Sequence, residues 1–145
     1  MSADCKFCPI IGREAKDAIV VFEDDTTLGF LDHRPLFPGH TLLVPREHVE
    51  TLVDLPDDVL PELFANTRLL ARAMEEGLGA DGSFVAINNR VSQSVPHLHV
   101  HVIPRRKKDG LKGFFWPRVP YTGDDHLRDT QARIRAAADR LRAAS

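Results

Sequence analysis

The segment His97-Leu98-His99-Val100-His101-Val102-Ile103 alternates imidazole and aliphatic side chains along its first six residues. Successive side chains of a β-strand point to opposite faces. The pattern therefore predicts a strand over 97–103, with His97, His99 and His101 on one face and Leu98, Val100 and Val102 on the other. The aliphatic face packs into a core and leaves the histidines together on the opposite face. Histidines two residues apart on that face have Cα atoms roughly 6.5–7 Å apart, so two rings can act on one phosphate group. A neutral imidazole nitrogen is a nucleophile toward phosphorus. A neighbouring imidazole donates a proton or a hydrogen bond near neutral pH. A histidine face serving only to bind metal is the alternative. Against it, no Asp or Glu lies within the segment to complete an oxygen-rich site.

The rest of the chain supplies partners for such a strand. Ile19-Val20-Val21-Phe22, Thr27 to Leu31 and His40-Thr41-Leu42-Leu43-Val44 read as short strands, and Phe84 to Ile87 as another. Asp24-Asp25 suits a turn, and Arg34-Pro35-Leu36-Phe37-Pro38-Gly39 a loop. A helix enters at Leu55-Pro56-Asp57-Asp58 and carries Val59, Leu60, Leu63, Phe64, Thr67, Leu70, Ala71 and Met74 at helical spacing. It stops at Gly77-Leu78-Gly79. A last helix begins near Asp124-Asp125, with Leu127, Ile134, Ala138 and Leu141 along one stripe. This order predicts an α+β fold, an antiparallel five-stranded sheet with two main helices, rather than a doubly wound parallel sheet. No Gly-rich phosphate loop of the Walker or dinucleotide type is present.

A chain of 145 residues is one domain with room for a real core. The formal net charge of -2 gives no electrostatic case for a nucleic-acid or membrane partner. The first seventeen residues hold charged side chains and no apolar run of signal-peptide type. The expected location is the cytoplasm, where Cys5 and Cys8 stay reduced. The polar stretch Asn88 to Pro96 leads into the histidines, and its Ser94 hydroxyl and backbone N–H groups suit phosphate oxygens.

Ser92-Gln93-Ser94-Val95-Pro96-His97-Leu98-His99-Val100-His101-Val102-Ile103-Pro104 resembles the signature of the histidine triad (HIT) superfamily. Pro38-Gly39-His40-Thr41-Leu42-Leu43-Val44-Pro45-Arg46-Glu47-His48 is similar to its second characteristic block, and Phe30-Leu31-Asp32 to the end of the preceding strand. The likeness runs from about Cys5 to Pro104. It implies a HIT-like fold of the Hint-type branch, with two sheets joined across a homodimer. It implies a hydrolase or transferase that cleaves nucleoside phosphoramidates or dinucleoside polyphosphates at the α-phosphate through a nucleotidyl-histidine intermediate. The product is a nucleoside monophosphate such as AMP, and no catalytic cofactor is needed. By motif position His99 is the nucleophile, His101 contacts the phosphate or leaving-group oxygen, and His40 supports the site. Asn88, Gln93 and Ser94 match phosphate-contacting positions, and Asp32 the acid that holds the ribose hydroxyls. Ser92 stands where relatives often carry glycine.

Cys5-Lys6-Phe7-Cys8 has the spacing of a zinc knuckle but supplies only half a tetrahedron. The resemblance implies His48 and His97 as the other ligands of a structural zinc. Such a knuckle segment covers about 1–16 of a single domain over 1–145, with a core at 17–104 and a C-terminal loop and helix at 105–145. Arg105-Arg106-Lys107-Lys108 reads as a solvated loop or as an attractor for polyphosphate. Trp116 either lines a leaving-group pocket or packs under its loop. The competing functions are a non-catalytic purine-nucleotide adaptor and a protein whose histidines all serve metal.

Overall fold

A computed structural model of the chain describes residues 4–112 and 117–145. Trp116 lies outside the described residues. The chain forms two compact units, 1–109 and 110–145. The first contains helix α1 (Cys8–Ile11), strands β1 (Val20–Glu23), β2 (Thr27–Leu31) and β3 (Thr41–Pro45), helix α2 (Leu60–Leu78), and strands β4 (Gly82–Ala86) and β5 (Val100–Arg105). The second contains helix α3 (Asp124–Ala144), which carries the anticipated stripe and opens on Asp124 and Asp125. No described helix is long and apolar enough to cross a membrane.

The five strands make one sheet in the order β1-β2-β3-β5-β4, and every neighbouring pair is antiparallel. The expected fold class is thus observed. Strand parity divides the core into two layers. Leu28, Phe30, Leu42 and Val44 cluster with Cys5, Phe7, Cys8 and Ile11 of the N-terminal segment. Leu43, Val100 and Val102 cluster with Leu63, Leu70 and Met74 of α2. The sheet is therefore covered by α2 on one face and by the N-terminal segment on the other.

α2 starts at Leu60, later than the Pro56–Asp58 entry suggests. Pro61 has no N–H to donate and fits only the first turn of a helix, so the helix begins around it. The helix ends at Gly79, whose φ of 65° is left-handed and easily reached without a Cβ. The basic run continues that ending. Arg106 donates from Nη1 to the Gly79 carbonyl at 2.6 Å and from Nη2 to the Leu78 carbonyl at 2.5 Å. Arg105 makes a two-point pair with Asp109 at 2.6 and 2.9 Å. These two cations cap a helix C-terminus and bind a carboxylate, so neither is a freely solvated charge.

The predicted strand over 97–103 begins only at Val100. Before it the chain bends: the His97 N–H donates to the Val95 carbonyl at 2.8 Å, and the Leu98 N–H to Val49 at 2.7 Å. Pro96 has no N–H to give to a strand ladder and marks the bend. His97 and His99 thus lie ahead of the strand, yet the alternation holds: Leu98, Val100 and Val102 pack in the α2 layer, and the three histidines face the N-terminal segment.

Candidate functional site

His101 is the one triad histidine within β5. It lies opposite Leu42 of β3 and Ala86 of β4, on the face covered by the N-terminal segment. His99, one residue ahead of the strand, packs beside it with ring centroids 5.0 Å apart. His40, at the head of β3, sits 5.2 Å from His101 by the same measure. A cleft of about 570 Å³ opens here, lined by His99, His101, Asp32, Ser94, Phe7 and Ile10 among others.

The hydrogen bonds fix which ring nitrogens carry protons. A carbonyl oxygen can only accept, so His99 must donate from Nδ1 to the His97 carbonyl at 2.7 Å. In the neutral ring this leaves the lone pair on Nε2. The Leu36 N–H donates to His40 Nδ1 at 3.1 Å, so His40 carries its proton on Nε2. That proton is donated to His101 Nδ1 at 2.9 Å. His101 then holds its own proton on Nε2. One backbone amide thus sets two tautomers and leaves a bare nitrogen on His99 beside a donor on His101.

Burial drives this set toward neutrality. It lowers the pKa of His40 and of His99 below the ordinary histidine value. It lowers His101 to about 4, helped by the neighbouring His99 and His40 rings. Asp32 opposes the shift at all three rings.

His97 leaves this group. It is fully buried and donates from Nε2 to the Pro45 carbonyl at 2.9 Å. Its Nδ1 lone pair faces Cys5 Sγ at 3.4 Å, Cys8 Sγ at 3.9 Å and His48 Nδ1 at 3.1 Å. Cys8 Sγ lies 3.4 Å from His48 Nδ1. A tetrahedral zinc with ordinary bond lengths spaces two nitrogens about 3.4 Å apart and a nitrogen and a sulfur about 3.6 Å apart. The four donors Cys5, Cys8, His48 and His97 match that geometry and lie within 4.8 Å of one another. The carbonyl bond on the far ring nitrogen is the usual support of a ligating histidine.

Asp32, His40 and His101 also converge within 4.8 Å. Their wiring differs. Binding an ion through His40 Nε2 requires moving its proton to Nδ1, where the Leu36 N–H already points. This trio is built as a hydrogen-bond relay, whereas the cysteine cluster presents a ready lone pair.

The remaining predicted residues divide. Asp32 lines the cleft and accepts from the Arg34 N–H at 2.9 Å, with Oδ2 3.7 Å from His40 Nε2. Ser94 lines it and is exposed. Asn88 is exposed and is not among the lining residues. Gln93 braces the loop instead, accepting from Arg90 N at 2.8 Å and donating to the Glu50 carbonyl at 2.6 Å. The lining residues Phe7, Ile10 and His33 were not assigned a part from the sequence. The Cys-Lys-Phe-Cys spacing was the available signal for Phe7, because Cys5 and Cys8, one on either side of it, both enter the donor cluster and fix where its ring goes.

Ser92 adopts φ 60°, the left-handed region that disfavours a side chain. Ser92→Gly should raise stability by roughly 0.5–1 kcal/mol, the relieved strain exceeding the entropy that glycine adds to the unfolded chain. Denaturant unfolding measures this, and a midpoint that falls would contradict the strain.

The model of the HIT domain family matches residues 13–108. An uncharacterized HIT-like protein of Mycobacterium tuberculosis is 40% identical over 80% of this chain and 83% of its own length. A protein of Arabidopsis thaliana named adenylylsulfatase HINT3 is 36% identical over 74% of this chain and 55% of its own length. The crystal structure of a Zn-bound histidine triad family protein from Mycobacterium smegmatis superposes with a TM-score of 0.71 at 39% identity, covering 92% of this chain and 97% of the other.

Proposed function

This chain belongs to the HIT domain family, and from that membership we propose that it binds a nucleotide in the cleft beside His99 and cleaves a bond at its α-phosphorus. The observation that carries the reading is the His99 tautomer, with Nδ1–H committed to a carbonyl and Nε2 left as a lone pair. In this reading Nε2 attacks the α-phosphorus in line, and the nucleotidyl group is carried on His99. The Nε2–H of His101 stabilises the phosphoryl or leaving-group oxygen. Asp32 accepts from the ribose hydroxyls, Ser94 contacts the phosphate, and His40 holds the His101 tautomer. Water then releases a nucleoside monophosphate. Asn88 and Gln93 belong to the phosphate loop rather than to the cleft wall.

The leaving group is an amine, a polyphosphate or a related ester. The name of the Arabidopsis relative supports adding adenylylsulfate to the substrate panel. The decisive experiment is rapid quenching with a slow adenylate substrate, followed by peptide mass spectrometry. An adenylyl group on His99 is the expected result. A reaction that proceeds with no such adduct, or with the adduct elsewhere, removes the mechanism.

Cys5, Cys8, His48 and His97 are assigned a structural zinc, supported by the donor geometry and the zinc-bound relative. Four protein ligands leave no open position, so the ion takes no part in the chemistry. A homodimer with joined sheets would use one of the two open edges, β1 or β4.

The pKa shifts give the pH dependence. Because His40, His99 and His101 are all shifted down, each ring stays neutral below the pH at which an ordinary histidine protonates. The acid limb of kcat/KM should therefore fall below pH 6.5, and a limb centred above that value would contradict the burial argument. In the same way the unfolded chain binds more protons than the folded one as pH falls from 6.5 toward 4. The contribution of His101 to stability is thus present above 6.5 and lost across that window.

A further inference from the structure

Phe7 occupies an unusual position between the two chemical centres of the molecule. Its neighbours on either side in the Cys-Lys-Phe-Cys run include both cysteines of the donor cluster. Its own ring is buried and turned the other way. It meets the His99 ring edge-on at 5.1 Å and 85°, and the Phe30 ring at 5.3 Å. It also lies 6.1 Å from the His97 ring. Lys6 and Ile10 line the cleft beside it.

The segment that carries this wall has little of its own to hold it. α1 is four residues long and starts from the Phe7 carbonyl, which accepts from Ile10 N and Ile11 N at 3.0 Å each. A single turn of helix is not stable alone. Its attachments are the apolar packing of Phe7, Cys8 and Ile11 on the sheet and the approach of the two thiols to His48 and His97. An ion gripping Cys5 and Cys8 fixes the backbone on both sides of Phe7 at once.

We propose that Phe7 is a positioning residue that couples occupancy of the Cys5-Cys8-His48-His97 site to nucleotide affinity in the cleft. This rests on the nucleotide and zinc readings above. With the ion bound, the Phe7 wall stands against His99 and the cleft is formed before the nucleotide arrives. Without it, nucleotide binding must also order the segment, and affinity falls by the cost of doing so. Coupling of this kind is reciprocal, so a nucleotide must hold the ion in place by the same factor.

Two measurements on the full-length protein test this. The first is AMP affinity by calorimetry, with the protein loaded with zinc and after its removal by a chelator. The second is zinc affinity at equilibrium, by competition with a colorimetric chelator of known affinity, with and without saturating AMP. The expected results are about tenfold tighter AMP binding in the loaded form and zinc bound tighter by the same factor when AMP is present. In Phe7→Leu both ratios should shrink to less than about twofold while zinc still binds. Phe30→Leu should weaken AMP binding in both forms and leave the ratios intact, because Phe30, though it touches Phe7, is held by β2 whether or not the ion is bound. That contrast also covers a zinc-free protein that unfolds globally, since such coupling would survive Phe7→Leu. Equal AMP affinity with and without zinc, or ratios unchanged in Phe7→Leu, would overturn the proposal and leave the nucleotide reading standing. Absence of AMP binding in every form would sink both.

Discussion

His99→Gly is expected to lower kcat by roughly 10⁴-fold or more while the Kd for AMP changes by no more than a few-fold. The argument runs from the hydrogen bond to the reaction. His99 Nδ1–H is fixed on the His97 carbonyl at 2.7 Å, so the ring has one orientation and one free nitrogen. A residue with no ring removes that nitrogen and the bond it would form to phosphorus. The cleft itself is built from other elements: Phe7 and Ile10 of the N-terminal segment, Phe30 and Leu42 of the sheet, and Asp32 at the end of β2. Those walls remain, so ground-state binding should persist. Steady-state kinetics with any substrate that wild type turns over, beside AMP calorimetry on the same preparation, decides the matter. A variant retaining full turnover would show that the bare nitrogen is not the attacking group. A variant losing turnover and AMP affinity together would show that the ring acts through binding.

How much of this could be read before the fold was known depends on how local each cause is. The antiparallel sheet follows from short apolar runs broken by turn residues, and β2 runs over Thr27–Leu31, the range anticipated. The two-thiol motif and the His99 motif are local strings, and both identify residues that the fold brings into clusters. The three-histidine face was legible, since Leu98, Val100 and Val102 pack in the α2 layer and the histidines face the N-terminal segment, but the start of the strand was not. Alternation argues for a strand, but Pro96 and the 2.8 Å turn bond at His97 end regular pairing before the strand can form. On that face His97 meets the cysteines, and the ring beside His101 other than His99 is His40, sixty-one residues earlier. The backbone amide of Leu36, which sets two tautomers, has no sequence signature. Any residue but proline supplies the same N–H. The basic run was illegible for a related reason. Arg106 is committed to carbonyls twenty-seven and twenty-eight residues away, contacts that no local pattern encodes.

Two glycine-to-alanine changes should move stability in opposite directions. Gly39 directly precedes His40 and has φ 104°, a conformation that a side chain rarely adopts. A Cβ there would lie 2.6 Å from Leu78 Cδ1 and 3.1 Å from Pro104 Cγ. The leucine methyl can swing away, because Leu78 is half-exposed, but the proline ring on β5 cannot. The residual strain and crowding put the loss for Gly39→Ala at about 2–3 kcal/mol, or roughly 5–10 °C in Tm. Activity should fall as well, since the carbonyl of Gly39 receives the Thr41 hydroxyl at 2.9 Å and the turn delivers His40 to His101. Gly77 is the contrast. It lies within α2, its φ is not in the left-handed region, and a Cβ would meet nothing within 4 Å. Gly77→Ala should therefore stabilise by about 0.5–1 kcal/mol through helix propensity alone. Thermal melts of the two variants beside wild type measure both. If Gly39→Ala melts with wild type, then the loop before β3 repacks freely. The His40 relay would then not depend on the backbone geometry that places it.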